Sequence, residues 1–234
     1  MSGPHHPVVG VIGGMGPEAT VEILRRIVAR TAAEDDQDHI HVIVESNPKI
    51  PSRIAHLIDK TGVDPTAELV RIARNLESAG ATLLAMPCNT AHSYADAIRA
   101  AVGIPLLDMV DLTVGQVCAG RSRPRVGLLA STAVHNTGIY ARLFAARGCT
   151  VVVPRRQDEL MTLIRDVKRG GTGHGFRHAL EDIASSLGDD VDVVVIACTE
   201  LSVIADETRT PVPTIDALEV LTQAILTAAD AQQR

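Results

Sequence analysis

Eight short runs of Val, Ile and Leu punctuate the chain: Val8–Ile12, Ile40–Val44, Thr82–Met86, Pro105–Leu107, Val126–Ala130, Thr150–Val153, Val193–Ala197 and Val212–Ile215. Several are almost continuously apolar instead of alternating with polar residues. A strand needs that when both of its faces are covered, as they are in parallel sheets. Between and after the runs lie segments with apolar residues at helical spacing. These are Pro17–Thr31, Pro65–Ser78, Ala91–Ala101, Asp108–Ala119, Gly138–Ala146, Asp158–Arg169, Gly175–Leu187 and Ala217–Ala229. Strands alternating with helices predict an α/β fold built on mainly parallel sheets flanked by helices.

The chain has 234 residues, enough for two small lobes or one large domain. Hydrophobic residues make up 46% but aromatics only 2%, so the core must be aliphatic. Apolar runs of about five residues are too short to span a bilayer, and no membrane association is expected. Met1–Pro7 lacks the basic and apolar regions of a signal peptide, which predicts a cytoplasmic location. The formal charge of −6 offers no basic stripe for nucleic acid. Four cysteines are present, none in a CxxC pair, which argues against a zinc ribbon or thioredoxin-type motif, and no metal is expected. A disulfide framework does not suit a chain of this size without a secretion signal.

A weak internal repeat divides the chain. Val9–Gly16 reads VGVIGGMG and Val126–Ala133 reads VGLLASTA; AMPCNT at Ala85–Thr90 is echoed by IACTE at Ile196–Glu200. The pairs stand 117 positions apart (Val9 to Val126) and 110 apart (Cys88 to Cys198). Two similar lobes are expected: residues 1–113, with 214–234 returning to the first, and residues 114–213. Any two βα units share some of this likeness, so the repeat alone is a modest signal.

Cys88 and Cys198 each follow an apolar run and precede a helical segment. That places both at the carboxyl ends of strands, where open α/β sheets put their ligands. Asn89 and Thr90 follow the first, and Thr199 and Glu200 the second, all suited to helix starts. A thiol near free backbone N–H groups can be activated, and the same groups can hold a carboxylate. A single buried Cys is commonly just a small core residue; two in matched settings are harder to dismiss. Cys149 precedes its run, at the opposite sheet edge, and Cys118 lies in an amphipathic helix. Both read as structural. Two thiols on opposite faces of a carbon acid could perform racemisation, one removing the α-proton and the other supplying one. Without an electron sink, the carboxylate-enolate must be held by preorganised donors, and Asn89, Thr90 and Thr199 are the candidates.

GGMGPEAT (Gly13–Thr20), MPCNTAH (Met86–His92) and ACTELS (Ala197–Ser202) together resemble the aspartate/glutamate racemase family, and its aspartate racemases in particular. HIHVIVESNPKIPSR (His39–Arg53) looks like the family's second strand and substrate loop, and DVKRG (Asp166–Gly170) falls where the family carries a substrate-binding Lys. The resemblance covers nearly the whole chain. It implies a cofactor-independent aspartate or glutamate racemase with Cys88 and Cys198 as catalytic residues and a small-molecule amino-acid substrate. It also implies two α/β lobes with the active site between them, commonly in a homodimer. Arg53 and Lys168 match the basic residues that recognise the substrate side chain; a guanidinium suits a carboxylate through paired hydrogen bonds. The aspartate-racemase pattern often has an acid before that Arg. Here it is Ser52, which leaves glutamate or another amino acid open.

Thr132 is a further candidate donor, or else the N-cap of the next helix. Met15 and Gly16 are expected to form a wall where backbone approaches the ligand. His92 reads as a structural hydrogen-bonding group, and Glu200 could position or deprotonate Cys198 or simply favour a helix start. The rivals are a dinucleotide enzyme, since Gly14–Ala19 satisfies G-x-G-x-x-A, a non-catalytic amino-acid-binding module, and a decarboxylase or cis–trans isomerase using one or both thiols. The first leaves the paired Cys motifs unexplained.

Overall fold

In the computed structural model of the chain, residues 7–206 and 208–231 are described. The elements run β1 (Val8–Gly13), α1 (Pro17–Arg30), β2 (His41–Ser46), α2 (Thr66–Ser78), β3 (Leu83–Ala85), α3 (Ala95–Arg99), β4 (Leu106–Leu107) and α4 (Met109–Cys118). They continue with β5 (Arg125–Leu129), α5 (Thr132–Thr137), α6 (Ile139–Ala146), β6 (Thr150–Val152), α7 (Gln157–Lys168), α8 (His174–Ser185), β7 (Val193–Ile196), α9 (Thr199–Ile204), β8 (Thr214–Asp216) and α10 (Ala217–Ala231). All eight expected strands form, in two four-stranded sheets of order β2-β1-β3-β4 and β6-β5-β7-β8. Every pairing is parallel.

By their contacts, the described residues up to Pro87, Ala91–Met109 and those from Leu221 onward form one unit; Cys88–Thr90 and Val110–Val220 form the other. In the first unit, α2 packs on β1, β2 and β3 through the buried Leu69, Ile72, Ala73 and Leu76. Gly10 permits this approach: a Cβ there would lie 2.9 Å from Ala81 Cβ and from Leu84 Cδ2.

The second sheet shows why its strands are apolar throughout. On β5, Val126 and Leu128 enter one core with Val114, Tyr140 and Phe144. Leu129 enters another with Leu160, Ile164 and Leu180. β7 divides likewise, Val193 and Val195 on one face and Val194 and Ile196 on the other. Successive side chains point to opposite faces, so a strand with helices on both sides must be apolar at every position. Each such Val or Ile contributes about 1.5–3 kcal/mol by leaving water.

The structure departs from the sequence reading in three places. Ala91–Ala101 is not one helix: a 3₁₀ segment over Thr90–Tyr94 leads into the five-residue α3. Asn89 does not cap it, because its amide oxygen accepts a hydrogen bond from the Tyr140 hydroxyl. Before α6 stands α5, capped by Ser131, whose Oγ accepts from Val134 N, and closed by Gly138 at φ 64°. Ser131 and not Thr132 is therefore the N-cap there. Finally, a π-helical turn forms at Ala55–Asp59, in a stretch with no regular apolar period. Among the described residues no helix is long and apolar enough to cross a membrane.

Candidate active site

In each sheet the chain passes from the first strand to a neighbour on one side, then returns to add its third strand on the other. The loops after β1 and β3, and after β5 and β7, therefore leave from adjacent carboxyl ends and diverge, which is where such sheets bind ligands. Met15 follows β1; Cys88, Asn89 and Thr90 follow β3; Thr132 follows β5; Cys198 and Thr199 follow β7. Ser52 and Arg53 lie beyond β2, and Lys168 is the last residue of α7.

In the first unit the turn around Met15 is fixed by Thr20. Its hydroxyl accepts from Gly14 N (2.9 Å) and donates to Gly16 O (3.1 Å). Gly14 has φ +90°, and a Cβ there would come within 2.4 Å of Asn47 backbone, so only glycine fits. The Met15 side chain is buried. Arg53 is tied to its own loop, its Nη1 donating to the carbonyls of Pro51 (3.1 Å) and Ile50 (3.4 Å). Ser52 is exposed, and its Oγ accepts from Ala55 N (3.2 Å) at the start of the following helical turn. His92 is buried with Nε2 accepting from Met109 N (3.1 Å), the structural role its sequence position suggested. Glu45, at the end of β2, is engaged by Arg71 (2.7 Å) and Asn75 (3.2 Å). It is thus occupied where a dinucleotide-binding fold would need an acid for the ribose.

In the second unit, three candidate residues form a polar cluster. Cys198 is buried, and its Sγ–H donates to Glu200 Oε2 at 3.0 Å. Lys168 Nζ lies 3.2 Å from Glu200 Oε1. Burial, then the Glu200 charge and its hydrogen bond, push the Cys198 thiol well above its ordinary range; the Lys168 ammonium works the other way. Burial also opposes the Lys168 charge, but the attraction of Glu200, Cys198 and Cys88 outweighs it and holds the ammonium above its usual value. Lys168 is thus electrostatically linked to both candidate thiols.

Asn89 is 3% exposed, and its Oδ1 accepts from Tyr140 Oη at 2.6 Å. Its Nδ2 is buried with no hydrogen-bond partner among the described residues. A buried donor left unmade costs about 1–3 kcal/mol, so an oriented, empty amide N–H₂ beside Cys88 suits a ligand oxygen. Thr132 is half-buried; its Oγ1 accepts from Gln157 Nε2 (3.4 Å) and its N–H faces Met161 Sδ (3.3 Å). Thr199 is buried and Thr90 half-buried. Among the described residues no group of three or more His, Cys, Asp or Glu is arranged to hold a metal ion.

The sequence profile described as Asp/Glu/hydantoin racemase matches residues 12–225. The chain belongs to the Asp/Glu/hydantoin racemase family. With that membership it is an isomerase. An aspartate racemase from Picrophilus torridus has the same fold at TM-score 0.83 and 32% identity, over 96% of this chain and 94% of that one. The broad-specificity amino-acid racemase RacX of Bacillus subtilis (strain 168) is 23% identical over 231 residues, covering 97% of this chain and 100% of that protein. An aspartate racemase homologue from Pyrococcus horikoshii shares the fold at TM-score 0.75 and 21% identity, over 95% and 98% of the two chains.

Sequence reading missed the contact of Tyr140 with the candidate residue Asn89, together with the link that Glu200 makes between Lys168 and Cys198. Tyr140 left one usable signal. It is one of only two tyrosines, set in an apolar helix, and a buried phenol needs a partner. The partner, 51 positions away, could not be read from spacing.

The cluster predicts opposed shifts. Glu200→Gln removes a negative neighbour and the acceptor of the thiol proton, so the Cys198 pKa should fall. Lys168→Met removes the opposing cation, so it should rise. Alkylation of Cys198 followed against pH by peptide mass mapping reads both shifts, and movement of both variants in the same direction would contradict the assignment.

Proposed function

We propose that this racemase-family protein interconverts the L and D forms of an acidic amino acid, aspartate or glutamate, by two-base proton transfer between Cys88 and Cys198. The observation that carries this reading is the environment of Cys198. It is a buried thiol held protonated by burial and Glu200, with the Lys168 ammonium alongside. A group so loaded is a proton donor. In one direction Cys88 takes the α-proton as the Cα–H bond breaks, and Cys198 delivers its proton to the other face of the carbon. The thiols end in exchanged protonation states, and the reverse reaction restores them. Cofactor-free chemistry leaves the carbanion's charge on the substrate carboxylate, which must be met by fixed donors.

Asn89 Nδ2 is the leading donor in this scheme. Tyr140 acts as a positioning residue: by donating to Oδ1 it fixes which edge of the amide remains for the ligand. Thr90, Thr132 and Thr199 are additional hydroxyl donors. Lys168 attracts the substrate's charge, and Arg53 recognises the side-chain carboxylate. Met15 and Ser52 complete the substrate-binding set.

A second reading, a wider choice of side chain, is favoured by two observations. Ser52 stands where an acid often precedes the Arg, and a relative matched along its whole length is a broad-specificity racemase. Arg53→Ala separates the two: it should weaken acidic substrates far more than small neutral ones, whereas equal losses favour broad acceptance.

Cys88→Ser and Cys198→Ser should each lower racemisation by about 10²–10⁴-fold, the contribution of a positioned acid or base. Chiral chromatography of the product measures this, and normal racemisation by either variant would refute the two-base assignment. Tyr140→Phe should raise KM by about 2–10-fold, equivalent to one net hydrogen bond, with a smaller change in kcat. An unchanged KM in a protein of unaltered melting temperature would remove the positioning role.

A further inference from the structure

Two cysteines lie outside this chemistry, and the fold brings them together. Cys118 is the last residue of α4 and Cys149 the residue before β6, 31 positions apart. Their sulfurs are 3.4 Å apart, and both are free thiols. From the sequence, each read as an isolated structural residue. We infer that Cys118 and Cys149 form a modification site, a thiol pair that a hydroperoxide converts to an intramolecular disulfide.

Both cysteines sit against one hydrophobic core. Cys149 belongs to the core containing Val114, Val117 and Val126, and Cys118 packs against that same core. A disulfide requires a sulfur separation of about 2.0 Å, so closure asks for about 1.4 Å of approach, within reach of side-chain rotation. The two thiols differ in access. Cys118 is half-buried and can be reached by a small oxidant; Cys149 is buried. Burial and the neighbouring Cys118 sulfur push the Cys149 thiol up to about 11, with Arg147 pulling in the opposite direction.

This asymmetry assigns the order of events. Cys118–SH reacts with the peroxide to give Cys118–SOH, releasing one water (or one alcohol from an alkyl hydroperoxide). The Cys149 sulfur then attacks the Cys118 sulfur. The S–O bond breaks, the S–S bond forms, and the Cys149 proton leaves with the hydroxide as water. Each sulfur loses one electron overall, and the peroxide bond takes up the pair.

The site is separate from the proposed catalytic thiol that follows β7. β6 and β7 both run parallel to β5; Cys149 precedes β6 while Cys198 follows β7, so the two lie at opposite ends of the sheet. The crosslink would close a loop containing β5, α5 and α6, the segment that carries Thr132 and Tyr140. Closing a loop restricts the unfolded chain, so oxidation should stabilise the fold against unfolding without using a residue of the proposed chemistry.

The test is non-reducing peptide mass mapping of the full chain after hydrogen peroxide treatment and blocking of remaining thiols. The expected product is one monomeric species in which the Cys118 and Cys149 peptides are joined, lighter by two hydrogens and released by dithiothreitol. In Cys118→Ser, Cys149 should remain an alkylatable thiol under the same treatment. Accumulation of Cys118 as sulfinic acid beside an unmodified Cys149 would overturn the inference, as would joining of these cysteines chiefly between molecules.

Discussion

The strand order is the constraint on which everything else rests. A parallel sheet that adds its second strand on one side of the first and its third on the other sends two neighbouring loops apart from adjacent carboxyl ends. Polar backbone and functional side chains can stand there without breaking the sheet. This chain builds that arrangement twice, and the third strand of each sheet leads to a cysteine: β3 to Cys88 and β7 to Cys198. The apolar character of β5 and β7 at every position is the cost of covering both sheet faces with helices. It also leaves the strand ends as the natural place for chemistry.

Within the second unit, burial sets the electrostatics. A carboxylate as enclosed as Glu200 needs partners, because an unpaired buried charge is strongly unfavourable. Glu200 has the Lys168 ammonium on one oxygen and the Cys198 thiol on the other. These contacts favour a charged Lys168 and, together with burial, a Cys198 that carries its proton. The Tyr140–Asn89 pair follows the same logic without charge: one end of a buried amide is satisfied internally and the other is left open. In the proposed reaction both contacts would serve as preorganised polar groups, which are effective where charge must be stabilised away from water.

Much of this was legible in the sequence, for identifiable reasons. The β strands were visible because double-sided burial writes a continuous apolar run, as in Val193–Ile196. The distinction between Cys198 and Cys149 followed from which end of a run each occupies. What was hidden depends on contacts between distant segments or on short local geometry. The Tyr140–Asn89 bond and the Cys118–Cys149 approach join residues 51 and 31 positions apart, and no periodicity encodes them. The six-residue α5 is too short to show a period, and Ser131 took the capping role that Thr132 could equally have filled. Arg53 shows another limit. Its residue type invited a carboxylate, while the structure also has it bracing its own loop through the Ile50 and Pro51 carbonyls.

The central claim is that protein side chains alone remove and replace the α-proton of an amino acid. Proton NMR of L-aspartate and L-glutamate in deuterium oxide, with the purified protein and no added cofactor, tests it most directly. The account predicts loss of the α-proton signal from at least one of them, as the D enantiomer appears carrying solvent deuterium at Cα. Retention of that proton by both acids, and by the neutral amino acids under the same conditions, would contradict it.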